Sequence, residues 1–249
     1  MTAPILAGAE PASFAGGPTG ALVLHGFTGC PQSMRGIAER LAADGHTVEL
    51  PLLPGHGTAV EDMVPTRFDD WLAAAEAVYL DLATRTERVV VVGLSMGGTL
   101  TATLAAKHPV AGIAVVNPQI VPAADSFHEM LQGTLDAGIE VMPSIGGDIA
   151  KEGATELAYD GTPIAALLSL LTHCRTLVAD LLPAITCPVL ILNSPQDHVV
   201  DPGSSTRLAE LVAGPVERVT LERSYHVATL DHDASLVEES ISAFVAKLA

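Results

Sequence analysis

Short runs of aliphatic and β-branched residues alternate along most of this chain with longer stretches in which apolar residues recur every three or four positions. Ala21 to Leu24 is apolar throughout and of strand length; Met34, Ile37, Ala38 and Leu41 follow at helical spacing until Gly45 stops them. Thr47 to Leu50 predicts the next strand, Trp71 to Thr84 a helix, Val89 to Val92 another strand and Thr99 to Lys107 the helix behind it. Val110 to Val116, Pro188 to Asn193 and Val216 to Leu221 continue the strand series, and a helix from Ala234 closes it. Strands that are apolar on both faces and separated by helices build a mostly parallel sheet covered on both sides. The expected class is α/β, in a single domain over residues 1 to 249.

One connection breaks the rhythm. About seventy residues separate Asn117 from the strand at Val189 without a clear strand signal, and they include the helical stretch Pro163 to Leu182. A structureless loop of that length does not suit a compact domain, so roughly residues 121 to 171 are expected to form a small inserted helical cap. The first twenty residues, rich in Gly, Pro and Ala, are assigned to no element, and no internal repeat or low-complexity segment is present.

Candidate chemistry sits at the ends of the predicted strands. Gly93-Leu94-Ser95-Met96-Gly97 lies between the strand Val89 to Val92 and the helix that follows, which is the setting of a G-x-S-x-G nucleophile elbow. A serine on so sharp a turn is strained, and a Cβ at either flanking glycine would collide with strand or helix. Serine needs a base to take its proton and an acid to orient that base. Asp197, in the loop after Asn193, and His226, in the loop after Leu221, follow Ser95 in the order Ser, Asp, His at the carboxyl ends of strands, where open α/β sheets build their sites. Asp201, immediately before Pro202-Gly203, is the rival acid and suits a turn or a helix cap. His198 and His232 are rival bases, one abutting Asp197 and the other at the start of the last helix. An oxyanion needs two backbone donors: Met96 N–H, directly after the nucleophile, and Phe27 N–H, in the loop His25-Gly26-Phe27-Thr28-Gly29. His25 and His56 are read as loop-shaping histidines.

Composition removes other classes. The chain has 12 Lys plus Arg against 29 Asp plus Glu, a formal net charge of -17, which opposes phosphate backbones and anionic lipid, so nucleic acid is not an expected partner. Cys30, Cys174 and Cys187 are odd in number and widely spaced, giving neither a disulfide framework nor a zinc site. H-E-x-x-H and a Walker loop are absent, and a serine replaces the second glycine that a dinucleotide loop needs at Gly93-x-Ser95-x-Gly97-Gly98; no cofactor and no metal are expected. The start has no basic segment followed by an apolar one, and the apolar stretch Ile164 to Leu171 is too short to span a bilayer, so a soluble, cytoplasmic protein is expected.

From about Ala21 to the C-terminus the chain resembles the α/β-hydrolase fold, and within it the bacterial monoacylglycerol lipases and small carboxylesterases. The elbow is shared by many hydrolases. The narrower likeness lies in His25 to Gly29, Gly55-His56-Gly57-Thr58 with Glu61-Asp62-Met63, Ser194 to Val200, Ser224 to Asp231 and Glu156-Leu157-Ala158-Tyr159-Asp160-Gly161-Thr162-Pro163. The resemblance implies Ser95, Asp197 and His226 as triad, the Phe27 and Met96 amides as oxyanion hole, and a cap that shapes an acyl channel. Under it Glu156 places a carboxylate near a polar alcohol such as glycerol or is a solvated cap-helix acid, and Ile145 lines a lipid entrance or packs the cap. The expected activity is serine ester hydrolysis of monoacylglycerols through an acyl-enzyme, with at most transient lipid-surface contact through the cap. The alternatives are a general carboxylesterase on short to medium acyl esters, an acyltransferase or thioesterase, and a non-catalytic binding protein on a hydrolase scaffold.

Overall fold

A computed structural model describes residues 3–144 and 147–249 of the chain. Nine strands lie among the described residues: β1 (Ala12–Phe14), β2 (Thr19–Leu24), β3 (Thr47–Leu50), β4 (Arg88–Leu94), β5 (Gly112–Val116), β6 (Val141–Pro143), β7 (Gly161–Pro163), β8 (Val189–Asn193) and β9 (Val216–Thr220). The helices are α1 (Arg35–Ala43), α2 (Val60–Met63), α3 (Phe68–Arg85), α4 (Met96–Lys107), α5 (Asp125–Asp136), α6 (Ile164–Thr176), α7 (Gly203–Leu211) and α8 (Ala234–Leu248). Seven strands form one sheet in the order β1-β3-β2-β4-β5-β8-β9, in which only β1 runs antiparallel to its neighbour. The chain therefore folds as an α/β protein, with a mostly parallel sheet between helices.

The two-residue period of the strands sorts their side chains between two cores. Leu22, Leu24, Val91, Ile113 and Ile191 meet Trp71 and Tyr79 of α3 and Leu100 of α4; Ala21, Val23, Val90, Val92, Leu190 and Leu192 meet Ile37 and Leu41 of α1 and Ile241 and Phe244 of α8. Burial on both faces explains why the strands read as continuous apolar runs. In register, Leu24 pairs with Gly93, Leu94 with Val116, and Asn193 with Thr220. The loops after β2, β4, β5, β8 and β9 consequently open along one edge of the sheet, and they carry His25 to Thr28, Ser95, Asn117, Asp197 and His226.

The structure departs from the sequence pattern at α3, at the start of the chain and in the stretch expected to form the cap, and adds the short helices α2 and α7. α3 starts three residues before Trp71, because the Asp70 carboxylate accepts the Arg67 N–H at 2.8 Å and caps the first turn. Residues 12–14, within the unassigned start, form β1, held by β3 rather than by any periodicity of their own. Two strands lie where none was expected: β6 and β7 pair as an antiparallel ribbon between α5 and α6, three residues each and too short to show alternation.

The helical run Ile164–Ala184 is longer than the apolar stretch read from sequence and is long and apolar enough to cross a membrane by length and composition alone. Here its α6 part is followed by a π turn at Leu177–Leu181, and Leu170, Cys174, Leu177 and Leu182 pack into the core beside α3 and α4.

Candidate active site

Ser95 stands between β4 and α4 with φ 55° and ψ −117°, a backbone conformation that L-residues rarely adopt. Four backbone hydrogen bonds pin it there. Its N–H donates to Val116 O at 3.0 Å, and its carbonyl accepts from Gly98, Thr99 and Gln119 at 2.9, 3.2 and 3.2 Å. A Cβ on Gly93 would run into the Gly97 carbonyl and one on Gly97 into the Leu24 carbonyl, so both glycines are required for helix and strands to meet this closely. The Ser95 side chain caps nothing and is left for the cavity above it.

The loops that carry Asp197 and His226 meet beside this cavity. Asp197 Oδ2 lies 2.7 Å from His226 Nδ1, and Asp197 Oδ1 accepts the Val199 and Val200 N–H groups, each at 2.8 Å. Both side chains are buried, the carboxylate 2% and the imidazole 8% exposed, so their attraction is little screened by water. Ser95, His226, Phe27, Glu156, Phe127 and Val199 are among the residues lining a cavity of about 420 Å³. Met96 is the first residue of α4, whose leading amides have no acceptor inside the helix. Phe27 follows Gly26, where an added Cβ would come within 3.5 Å of the Ser95 Cβ. The turn continues through Thr28 at φ 61°.

The rivals are engaged in other contacts. Asp201 Oδ1 accepts the Gly203 N–H at 2.8 Å and starts α7, although it also touches the cavity. His198 pairs with Asp148 at 2.9 Å and lies edge-on to Tyr225. His232 is engaged here through its backbone, its N–H on Asp231 and its carbonyl on Arg223. Glu156 lies outside any helix, half-buried in the cavity wall, and burial raises its carboxyl above the usual range while the charge of His226 acts in the opposite direction. Ile145 lies outside the described residues.

His25 and His56 shape loops. The His25 ring donates from Nδ1 to Gly26 O at 3.0 Å and accepts the Leu53 N–H on Nε2 at 3.2 Å, which ties the Phe27 loop to the loop after β3. His56 donates to Pro54 O and packs edge-on against both His25 and Trp71. Burial pushes His25 down from 6.5 to about 4; burial, then the charge of His25, pushes His56 to about 3. Between 6.5 and about 4 an unfolded chain takes up protons that these folded rings refuse. Stability should therefore fall as pH drops through that window, by ~3 kcal/mol for His25 alone. Urea midpoints at pH 7 and pH 5 check this, and His25→Gln should flatten the slope between them; an equal slope in both proteins would contradict it.

Sequence reasoning missed the residues that hold the His226 loop. Asp148 Oδ2 accepts the backbone N–H of both His226 and His198 at 3.1 Å, and its own carbonyl accepts the Val227 N–H at 3.1 Å. Asn117, at φ 43° after β5, donates to His226 O at 2.8 Å and accepts the Ser194 N–H at 2.7 Å. Asp231 accepts N–H groups from Ala150, Lys151, Tyr225 and His232. Asn117 carried a signal, its place directly after a strand, and Asp231 ends one of the segments on which the family resemblance rests. Asp148→Ala should lower kcat on the order of 10² by loosening His226, with Asp148→Asn retaining most of it because one amide oxygen still accepts both N–H groups. Equal losses in the two variants, measured by steady-state kinetics, would assign the effect to charge rather than position.

Among the described residues no group of three or more His, Cys, Asp and Glu side chains is arranged to hold a metal. A strained serine at a strand-to-helix turn, facing a cavity lined also by a histidine that a buried aspartate holds, defines the hydrolase class of α/β folds. The chain belongs to the alpha/beta hydrolase family, whose model matches residues 21–239. It is 44% identical over 98% of its length to a thermostable monoacylglycerol lipase of Bacillus sp. (strain H-257), covering 97% of that protein. It is 28% identical over 96% of its length to a carboxylesterase of Bacillus subtilis (strain 168), again covering 97%. A solved structure from a pair of metagenome-derived lipolytic enzymes, LipS and LipT, superposes with a TM-score of 0.93 at 41% identity, covering 98% of this chain and all of that one.

Proposed function

We propose that this chain is a serine ester hydrolase that cleaves monoacylglycerols, with Ser95 as nucleophile, His226 as base and Asp197 as its orienting acid. The observation that carries the reading is the buried 2.7 Å Asp197–His226 pair opening on the same cavity as the strained Ser95. The identity to a Bacillus monoacylglycerol lipase supports the substrate class.

In this mechanism Ser95 Oγ attacks the ester carbonyl as its proton passes to His226 Nε2. The Met96 and Phe27 amides stabilise the tetrahedral oxyanion, and the imidazolium then protonates the departing glycerol. Water deprotonated by His226 attacks the acyl-enzyme, and collapse of the second tetrahedral intermediate releases the fatty acid and restores Ser95. Residues 121 to 171 act as a cap over the acyl channel. Glu156 faces the glycerol hydroxyls, which supply the hydrogen-bond donors that a half-buried carboxylate needs.

The net charge of -17 keeps nucleic acid and firm attachment to anionic membranes out of the reading, and a cytoplasmic location agrees with it. Phe127 and Val199, both partly exposed at the cavity lining, suit brief contact with lipid; failure to associate with liposomes of any composition would remove that contact.

The deciding experiment is the specificity constant for monoacylglycerols against diacylglycerols, triacylglycerols and p-nitrophenyl esters across chain lengths. A preference for monoacylglycerols of about tenfold or more is expected, the size of one charge-assisted hydrogen bond. The second reading, a general carboxylesterase, is favoured by the Bacillus subtilis relative, and comparable constants on simple alkyl esters would establish it.

A further inference from the structure

The loop after β2 does more than carry Phe27. Immediately beyond it, a 3₁₀ turn at Pro31–Met34 presents the Gln32 side chain to residues 155–157, a stretch without regular secondary structure. Gln32 Nε2 donates to Thr155 O at 3.0 Å and Gln32 Oε1 accepts the Leu157 N–H at 3.0 Å. These are the backbone groups on either side of Glu156. One carboxamide thus makes the two bonds that a neighbouring strand would make, its NH₂ donating and its oxygen accepting. The Cys30 thiol donates to Leu157 O at 3.3 Å and the Tyr159 N–H to Thr28 O at 3.1 Å, which extends the same seam on one side of Glu156.

Glu156 itself has no hydrogen-bond partner among the described residues, so its side chain is not aimed by a bond of its own. Its space is bounded by glycines: a Cβ on Gly29 would come within 2.9 Å of Glu156 Oε1, and one on Gly147 within 3.2 Å of its Cβ. We infer that Gln32 is a specificity-positioning residue, which fixes the backbone on both sides of Glu156 and so directs this carboxylate at the alcohol part of the ester. The inference rests on the reading of Glu156 as the glycerol contact and names what makes that contact selective. Gln32 follows Phe27 by five residues, so the alcohol pocket and the oxyanion donor are reached from one stretch of backbone.

The test is a double-mutant cycle read as the ratio of kcat/KM for monolauroylglycerol to that for ethyl laurate, with melting temperatures to establish that each variant is folded. Glu156→Gln and Gln32→Ala should each lower the ratio about tenfold, as expected for loss or misplacement of one charge-assisted hydrogen bond. Gln32→Ala in the Glu156→Gln background should lower it no further. Equal effects of Gln32→Ala in both backgrounds would show that Gln32 does not act through Glu156 and would overturn the inference. A ratio within twofold of wild type for Gln32→Ala, with Glu156→Gln still tenfold down, would overturn the inference and leave the glycerol reading standing. An unchanged ratio in Glu156→Gln would overturn the glycerol reading and the inference with it.

Discussion

Ser95→Ala is expected to lower kcat for ester hydrolysis on the order of 10⁶ while leaving the melting temperature nearly unchanged. The size follows from losing the covalent step, because the Asp197–His226 pair then has no hydroxyl to deprotonate. The unchanged stability follows from the bonds at the elbow. Each hydrogen bond holding Ser95 uses its backbone, from its N–H to Val116 O and from three amides to its carbonyl, and alanine keeps all of them. The strained φ of 55° is a cost that serine and alanine share. Labelling by a fluorophosphonate, followed by peptide mass analysis, should mark Ser95 in the wild type and nothing in the variant. Labelling of another serine, or retention of a substantial fraction of kcat by the variant, would remove Ser95 from its role.

The second large effect is expected at Asp197. Asp197→Asn should reduce kcat by about 10⁴ with little change in KM. One carboxylate oxygen is committed to the Val199 and Val200 amides, and in the asparagine the carbonyl oxygen must take that place, since an NH₂ group cannot accept from two N–H donors. The amide NH₂ then faces His226 Nδ1, at the position where the wild-type oxygen lies 2.7 Å away. His226 must accept there and carry its proton on Nε2, the nitrogen that has to take the Ser95 proton. The variant is folded and holds the wrong tautomer. Asp201→Asn is the control on the rival acid, and its effect should stay within a few-fold because Asp201 Oδ1 serves the turn into α7. A larger loss at Asp201 than at Asp197 would exchange the two assignments.

The legibility of the site in the sequence was uneven for reasons visible in particular residues. The elbow could be read because its glycines are demanded by backbone contacts a few residues apart, and the strand before it is buried on both faces and shows as an unbroken apolar run. Asp197 and His226 could be proposed because loops after parallel strands open on one edge. Their actual bond, 29 residues apart in sequence, depends on the packing of β8 beside β9. Asp148 could not be found, since its partners, the amides of His198 and His226, lie 50 and 78 residues further along. Glu156 was placed by resemblance to its surrounding segment, and the cap-helix alternative does not hold: the stretch lies outside any helix, bonds to Gln32 on both sides of Glu156 and leaves no periodic trace.

By itself the sequence determined the alternation of strand and helix, the parallel sheet between two apolar cores, and the order in which Ser95, Asp197 and His226 leave that sheet. These are products of short-range sterics and of the burial of apolar faces, and both are written in residue spacing. The tertiary structure alone decided the β6–β7 ribbon, the seating of residues 155–159 against the loop after β2, and the Asp148, Asn117 and Asp231 clasps on the His226 loop. Each of these is a set of hydrogen bonds between segments far apart in the chain. Their strength depends on distance and direction in space, which no local pattern of residues encodes.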